Sequence, residues 1–386
     1  MMDRMFSGKK LKPAAIVLFA LIVFVFTACS ATKEKTPPGT PRGVASMIAN
    51  VRVFDGHGMS DLATVVIEDG IISDKTTGDL VIDGKGGFLM PGLIDAHAHL
   101  DTVSDLKLSA ERGVTSSFAL SAPNEIKNQP GLTRIWSSHA YALGNIDDAE
   151  AFTANEVANG ADYIKVLIED PPRMGSRTIS RDVLRNIVEA AHRNGLRVAA
   201  HAVTVPTFRM AVQAGVDILI HVPLEAPLPQ DLVVQMARQG TSIVPTLVMM
   251  KAFADSPRYG LKSETYKNAE DSVRMLLAAG VPVLAGSDAN NAPHVPKIRH
   301  GTDLHRELEL LVKAGMTPLQ ALKSATGVSA RLFGFTRVGA IEPGRYADLI
   351  LIDGRPDERI EDISNLRSIW IGGVEAVSAH SGLQPE

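Results

Sequence analysis

The sequence predicts an α/β fold, a (β/α)8 barrel of the TIM type with a small β-sandwich domain built from both ends of the mature chain. Across the middle of the chain, eight short apolar runs alternate with helical stretches over roughly 240 residues, which is typical of such a barrel. Short β-rich runs with Asp-Gly turns precede this region, and similar runs follow it. Nothing in the net charge of −4 suggests a nucleic-acid partner, which would call for a basic face, so none is expected.

The N-terminus predicts a signal peptide over residues 1–28. Basic residues within 1–12 precede 13 uninterrupted apolar residues, 14–26. A helix of that length reaches only about 20 Å, short of the about 30 Å hydrocarbon core, so a signal peptide is favoured over an uncleaved anchor. Phe26-Thr-Ala-Cys29 resembles a bacterial lipoprotein cleavage site. That resemblance implies a lipid on Cys29 and a place in the bacterial cell envelope, with Ser30 favouring the outer membrane facing the periplasm.

The remaining boundaries follow from composition. Residues 29–44 contain almost no large apolar side chain and predict a lipidated tether. Residues 45–90 and 338–378 are expected to form the composite β-sandwich domain, and 91–337 the barrel. Cys29 is the single cysteine, so a disulfide framework within the chain is excluded.

Each barrel strand is predicted from its own apolar run. Ser180–Arg193 reads as a helix with Ser180 as N-cap, and Pro318 opens another at its first position. Residues 122–130 are too short for a proper helix. A doubly wound sheet is the alternative, but no Gly-x-Gly-x-x-Gly follows a strand. The predicted strands are Leu93–His97, Val114–Leu120, Thr133–Ser138, Tyr163–Ile168, Arg197–His201, Asp217–His221, Ser242–Thr246 and Pro282–Ser287.

Polar residues at the strand ends carry the expected chemistry. In a barrel, the carboxyl ends of the strands meet at one rim. Two neighbouring imidazoles supply half of a zinc site, and a charged lysine inside an apolar strand is costly to bury without a partner or a modification. The residues that reach this rim are His97, His99, Lys165, His201, His221 and Asp288.

The sequence resembles the metal-dependent amidohydrolase superfamily from about residue 45 to 376, in particular its imidazolonepropionase-like and prolidase-like branch. The matching sequence motifs are Met-Pro-Gly-Leu-Ile-Asp-Ala-His-Ala-His (90–99), Ile-Lys-Val (164–166), Ala-Ala-His-Ala (199–202), Gly-Ser-Asp (286–288), Gly-Met-Thr-Pro-Leu-Gln-Ala-Leu (315–322) and Gly-Ala-Ile-Glu-Pro-Gly-Arg-Tyr-Ala-Asp-Leu (339–349).

The resemblance implies two divalent metal ions and a carbamate that Lys165 forms with carbon dioxide. By the resemblance, His97, His99 and Asp288 hold the first ion, His201 and His221 the second, and the Lys165 carbamate joins them. Such ligands suit zinc, with manganese, cobalt or iron left open. Asp288 would act as general base for hydrolysis of an amide-type bond.

The sequence departs from the family in the loops that shape the substrate pocket. Only residues 100–112 separate the first strand from Gly113-Val-Thr, and the loop after the third strand reads Ser137-Ser-His-Ala-Tyr-Ala-Leu-Gly144. His139 in that loop, and His294 and Arg299 after Asp288, are the candidate substrate-binding residues.

The first hypothesis is therefore a binuclear hydrolase of a small substrate such as a dipeptide or N-acyl amino acid. The alternatives are a deaminase or cyclic-amide hydrolase of the same superfamily, and a binding lipoprotein that retains the barrel without turnover. Lys165 argues against the mononuclear deaminases, which by resemblance lack a bridging lysine. Whether the chain forms a homo-oligomer is left open.

Overall fold

The computed structural model describes residues 43–378, apart from 62, 128, 145 and 170–177. The predicted signal peptide (1–28), Cys29 and nearly all of the predicted tether (29–44) lie outside the described residues. Within the described ranges, none of the helices combines the length and the apolar character needed to cross a bilayer.

The strands and helices alternate through the middle of the chain. The strands are β1 (Ser46–Phe54), β2 (Met59–Ser60), β3 (Thr64–Glu68), β4 (Ile71–Ser73), β5 (Leu80–Pro91), β6 (Leu93–Ala98), β7 (Val114–Ser121), β8 (Arg134–Ser138), β9 (Tyr141–Leu143), β10 (Ile164–Leu167), β11 (Val198–His201), β12 (Ile218–Ile220), β13 (Ser242–Val244), β14 (Leu349–Ile352), β15 (Leu366–Ile371) and β16 (Val374–Ser378). The described α-helices are Val103–Ala110, Ala149–Ala158, Arg181–Arg193, Val205–Ala214, Gln230–Gln239, Leu247–Asp255, Tyr266–Ala278, Thr302–Lys313, Pro318–Ser324 and Gly327–Phe333.

Both ends of the described chain join in one sheet, in the order β16-β15-β14-β5-β1-β3-β4, with β2 paired to β1. Strand β5 connects the two ends because it pairs in parallel with β1 and antiparallel with β14. Side chains from both ends, among them Ile48, Leu89, Leu349 and Trp370, bury each other in one apolar cluster. The predicted β domain of composite origin is confirmed.

The barrel is made of two parallel sheets, β6-β7-β8 and β9-β10-β11-β12-β13. The Asp162 amide donates to the Ser137 carbonyl where these sheets meet after β8. On the other side, residues 282–288 run between β13 and β6, with the Leu284 amide donating to Ile243 and the Ala96 amide to Ala285. The predicted (β/α)8 barrel is confirmed.

The eighth predicted strand, Pro282–Ser287, is not a continuous strand but forms one isolated bridge, between Val283 and Ile243 of β13. Pro282 has no amide hydrogen to donate, and the Ala285 amide donates to the Ser324 carbonyl instead of to a strand. Gly286 approaches β6 closely, since a Cβ at residue 286 would lie 2.8 Å from the backbone nitrogen of His97. The segment therefore seals the barrel without forming a regular ladder.

Two predicted helix starts are observed. Ser180 caps the helix Arg181–Arg193 by accepting from the Val183 amide at 3.3 Å. Thr317 caps Pro318–Ser324, with the proline in the first turn. Among its described residues, the short region after β7 holds a single 3-10 turn, Asn124–Ile126, as its length predicts.

Candidate metal centre

All six residues predicted at the rim line one cavity of about 530 Å³. His97 lies on β6 and His99 directly follows that strand. Lys165 and His201 lie on β10 and β11, His221 directly follows β12, and Asp288 ends the irregular eighth segment. Neighbouring parallel strands therefore bring these residues to the same end of the barrel. Four are buried, with residue exposures of 0% for Lys165, 2% for His97, 3% for His221 and 7% for Asp288. His99 and His201 are half-buried.

The Asp288 carboxylate lies at the centre of the group. Its Oδ1 is 3.3 Å from Nε2 of His97 and 3.1 Å from Nε2 of His99. Its Oδ2 is 4.0 Å from Nδ1 of His221. One nitrogen or oxygen from each of His97, His99 and Asp288 lies within 4.8 Å of the others, so these three residues could hold a metal ion.

Three residues of this region adopt left-handed backbone conformations, with φ of 77° at His221, 47° at Thr246 and 58° at Asp288. Such conformations cost about 1–3 kcal/mol each for residues other than glycine. The surrounding hydrogen bonds hold Asp288 in place, because its amide donates to the His97 carbonyl at 2.7 Å and its carbonyl accepts from Asn290 at 2.9 Å. Strained backbone of this kind is concentrated at functional sites.

His201 and His221 form a second pair beside the first group, with ring centroids 4.6 Å apart. Nε2 of His201 lies 2.9 Å from Oε1 of Glu169, a cavity residue that the sequence interpretation missed. The signal was present, since Glu169 follows directly after the apolar run that contains Lys165. Glu169 adds a second carboxylate on the side of the cavity where His201 lies.

Lys165 is fully buried, and its Nζ has no hydrogen-bond partner among the described residues. Burial lowers the pKa of its amine to about 7, although the negative charge of Asp288 partly opposes the shift. A substantial fraction of this amine is therefore neutral at neutral pH. A neutral amine is the form that can react with carbon dioxide.

The buried ligand candidates are in the protonation states that metal binding needs. Burial lowers the pKa of His97 to about 3 and holds the pKa of His221 well below its usual value. Burial alone would raise the pKa of Asp288, but the hydrogen bonds from His97 and His99 outweigh it and hold that pKa well below its usual range. Neutral imidazoles beside an ionised carboxylate suit a divalent cation.

Neighbouring side chains fix the orientation of these groups. The Asp95 carboxylate accepts from the Ser287 hydroxyl at 2.5 Å, from the Ser287 amide at 2.9 Å and from the His97 amide at 3.2 Å. Nε2 of His300 lies 2.7 Å from the carbonyl oxygen of His99. These contacts tie together the two segments that carry His97, His99 and Asp288.

The second histidine pair has its own support. Nδ1 of His221 lies 2.8 Å from the hydroxyl oxygen of Thr246. The amides of Leu247 and Val248, which follow Thr246, donate to the two oxygens of the buried Glu307 carboxylate at 2.9 and 2.7 Å. Thr246 and Glu307 were not predicted, because nothing in their local sequence connects residue 246 to residue 221 or to residue 307.

The three candidate substrate-binding residues lie in different places. His294 lines the cavity. Arg299 points its guanidinium to Asp303, 2.8 Å away, and is not among the residues that line the cavity. His139 is exposed, its amide donates to Glu156 at 2.8 Å, and it does not line the cavity.

The chain is similar to known proteins over most of its length. It is 26% identical over 321 residues to an uncharacterised protein of Mycobacterium tuberculosis, covering 72% of this chain and 84% of that protein. It is 26% identical over 250 residues to the imidazolonepropionase of Rhodococcus jostii, covering 62% of this chain and 55% of the relative.

Solved structures share the fold. A Xaa-Pro dipeptidase with methionine bound in its active site superposes with a TM-score of 0.69 at 22% identity, covering 86% of this chain and 99% of the other. The model of the amidohydrolase family matches residues 157–375, which is more than half of the chain. The resemblance predicted from the motifs is confirmed, and the chain belongs to the amidohydrolase family.

Proposed function

We propose that this chain is a binuclear metal-dependent hydrolase that cleaves an amide-type C–N bond in a small substrate, such as a dipeptide or an N-acyl amino acid. One observation carries the proposal: an ionised carboxylate, Asp288, lies between His97 and His99 in the same cavity as a fully buried lysine amine that has no hydrogen-bond partner in the described part of the chain. Family membership supports hydrolysis of C–N bonds.

The residues present fit two divalent cations. His97, His99 and Asp288 would hold one ion, His201 and His221 the other, and Lys165 as a carbamate would supply an anionic ligand to both. Zinc suits this donor set, and manganese, cobalt or iron are the other candidates. When bound, such a pair of ions would lower the pKa of a water to about 7 and polarise the scissile carbonyl.

The residues of the chain supply the proton transfers. Because the pKa of Asp288 is held well below its usual range, its carboxylate is ionised at neutral pH. It would take one proton from the attacking water as the oxygen bonds to the carbonyl carbon. It would return that proton to the nitrogen as the C–N bond breaks, which yields an acid and an amine without a covalent enzyme intermediate.

The proposal includes a lipid anchor on Cys29 and attachment to the bacterial envelope. The basic and apolar N-terminal pattern and the Phe-Thr-Ala-Cys ending support it. Labelling with a fatty-acid analogue in a bacterial host should modify the wild-type chain but not Cys29→Ser. Equal labelling of both chains would refute the anchor and leave the hydrolase proposal untouched.

Hydrolysis is tested with the full chain in detergent, loaded with zinc or manganese in bicarbonate buffer. The panel contains dipeptides, N-acyl amino acids, their amides, lactams, purines and pyrimidines. We expect amide hydrolysis that Asp288→Asn reduces by about 10²-fold or more, the scale of a general base. Asp255→Asn serves as the matched control, because Asp255 is exposed and does not line the cavity. Activity confined to purines or pyrimidines would instead favour the deaminase alternative.

A further inference from the structure

Away from the candidate ligands, the cavity wall is largely apolar. Met249, Met250 and Phe253 lie on the helix Leu247–Asp255 and line the cavity together. Phe253 lies four residues after Met249 and three after Met250, so it shares a face of the helix with each of them. Met249 and Met250 are only 1% and 3% exposed, so their positions are defined by packing. The wall also includes the aliphatic residues Leu120, Leu167, Leu224, Leu261 and Val295.

The charged groups of the wall are mostly acidic. Glu169 and Glu225 line the cavity together with Asp288. Within the described lining, Lys165 is the only lysine and arginine is absent. Glu169 contacts His201, and Glu225 accepts from the Val205 amide at 2.8 Å, so both carboxylates are held at the wall. A substrate carboxylate placed beyond the candidate ligands would therefore meet negative charge and no guanidinium in this lining.

We propose that the site selects neutral amides that carry a bulky apolar group, aromatic or branched aliphatic, packed against Met249, Met250 and Phe253. This inference rests on the proposed hydrolase function and narrows its substrate class to uncharged amides, which excludes dipeptides and N-acyl amino acids because they carry a carboxylate. A volume of about 530 Å³ accommodates an aromatic ring together with the scissile amide. Methionine sulfur atoms make favourable contacts with aromatic rings, and methionine adapts to irregular shapes.

The expected size of the selectivity follows from apolar burial. Each substrate methylene that leaves water stabilises the complex by an amount that corresponds to about a fourfold rise in kcat/KM. A branched side chain of three carbons should therefore gain about 60-fold over glycine at the same position. A substrate that carries a carboxylate but is otherwise identical to the neutral amide should have a lower kcat/KM, because its carboxylate would face Glu169 and Glu225.

The test compares three substrates with the zinc-loaded full chain in bicarbonate buffer: N-acetylphenylalanine amide, N-acetylphenylalanine and N-acetylglycine amide. We expect the neutral phenylalanine amide to have a kcat/KM at least about 10-fold above both others. Phe253→Ala should lower its kcat/KM about 10-fold and leave that of the glycine amide within a factor of two. The matched control is Asp255→Asn, on the same helix but outside the lining, which should change neither value.

Zinc content per chain is measured for each variant, so that a folding or metal defect is separated from lost selectivity. The inference would be overturned if N-acetylphenylalanine had a kcat/KM equal to or above that of its amide. It would also be overturned if Phe253→Ala, with its zinc content intact, lowered kcat/KM equally for all three substrates. The same compounds also serve as ligands in equilibrium binding. Tighter binding of the phenylalanine amide without any hydrolysis would support the selectivity and refute the hydrolase proposal.

Discussion

Nδ1 of His221 lies 2.8 Å from the hydroxyl oxygen of Thr246, and both residues have left-handed backbones, with φ of 77° and 47°. The contact occupies Nδ1 of His221, so in the proposed two-ion site Nε2 would be the ring nitrogen available to a metal ion. Since the Leu247 and Val248 amides bind Glu307, the position of Thr246 is itself fixed by a carboxylate on another helix. The orientation of the candidate ligand His221 thus depends on residues outside the proposed ligand set.

Removing the Thr246 hydroxyl should weaken metal binding without removing any ligand. Thr246→Val keeps the side-chain shape but cannot hydrogen-bond Nδ1 of His221. We expect the affinity for the second ion to fall about 10- to 100-fold, as is typical when a ligand loses its orienting partner. Thr246→Ser retains the hydroxyl and should bind nearly as tightly as the wild type. Chelator competition measures both affinities, and a Thr246→Val affinity equal to that of the wild type would refute this role.

Truncating Glu307 should destabilise the fold through the helix that it anchors. Glu307→Ala leaves the buried Leu247 and Val248 amides without acceptors, which costs about 1–3 kcal/mol for each group. Glu307→Gln keeps one acceptor oxygen and should lose less. Urea unfolding of the metal-free chain measures the free energy of unfolding. A Glu307→Ala variant as stable as Glu307→Gln would show that the two hydrogen bonds contribute nothing measurable.

His305 should make the folded chain sensitive to acid. Burial lowers its pKa from 6.5 to about 4, although the hydrogen bond to the Arg112 carbonyl opposes the shift. The unfolded chain binds a proton near pH 6.5 and the folded chain only near pH 4, so the free energy of unfolding falls as pH decreases across that window. The loss is about 1.4 kcal/mol per pH unit and about 3 kcal/mol in total.

His305→Gln can still donate to the Arg112 carbonyl but does not titrate. Urea unfolding between pH 7 and pH 4 should therefore show a shallower loss of stability in this variant than in the wild type. His139→Gln is the control, because His139 is exposed. Parallel pH profiles for the wild type and His305→Gln would contradict the account of His305.

Replacing Lys165 should separate metal binding from folding. In the metal-free chain, Lys165→Met removes a buried amine that has no hydrogen-bond partner among the described residues, so stability should be unchanged or higher. With zinc and bicarbonate, the variant should bind fewer ions than the wild type. Bicarbonate should also no longer affect its metal content. Retention of two ions by Lys165→Met would exclude a bridging carbamate.

Sequence periodicity was enough to predict the barrel and its rim. His97 and His201 lie at or near the carboxyl ends of β6 and β11, and parallel strands bring such ends together whatever the rest of the sequence does. Lys165 is the second residue of β10, and its long side chain lines the same cavity. The split of the third unit into β8 and β9 and the irregular eighth segment were not predictable, because they depend on hydrogen bonds to distant carbonyls such as Ser324.

The groups that orient the candidate ligands could not be predicted from local sequence patterns either. Asp95 binds Ser287 across 192 positions, and Glu307 binds Leu247 across 60. Neither pairing has a periodic signal, since each exists only after the barrel has closed. Glu169 differs, because a carboxylate directly after the Lys165 strand could have been recognised from its position at the rim.

The most direct test of the two-ion site is the zinc content of the purified full chain in bicarbonate buffer, measured by mass spectrometry of the metal and compared with that of His97→Ala and Lys165→Met. The account predicts close to two zinc ions per wild-type chain and a loss of at least one ion in each variant. A folded wild-type chain that holds no zinc, or variants that bind as many ions as the wild type, would contradict it.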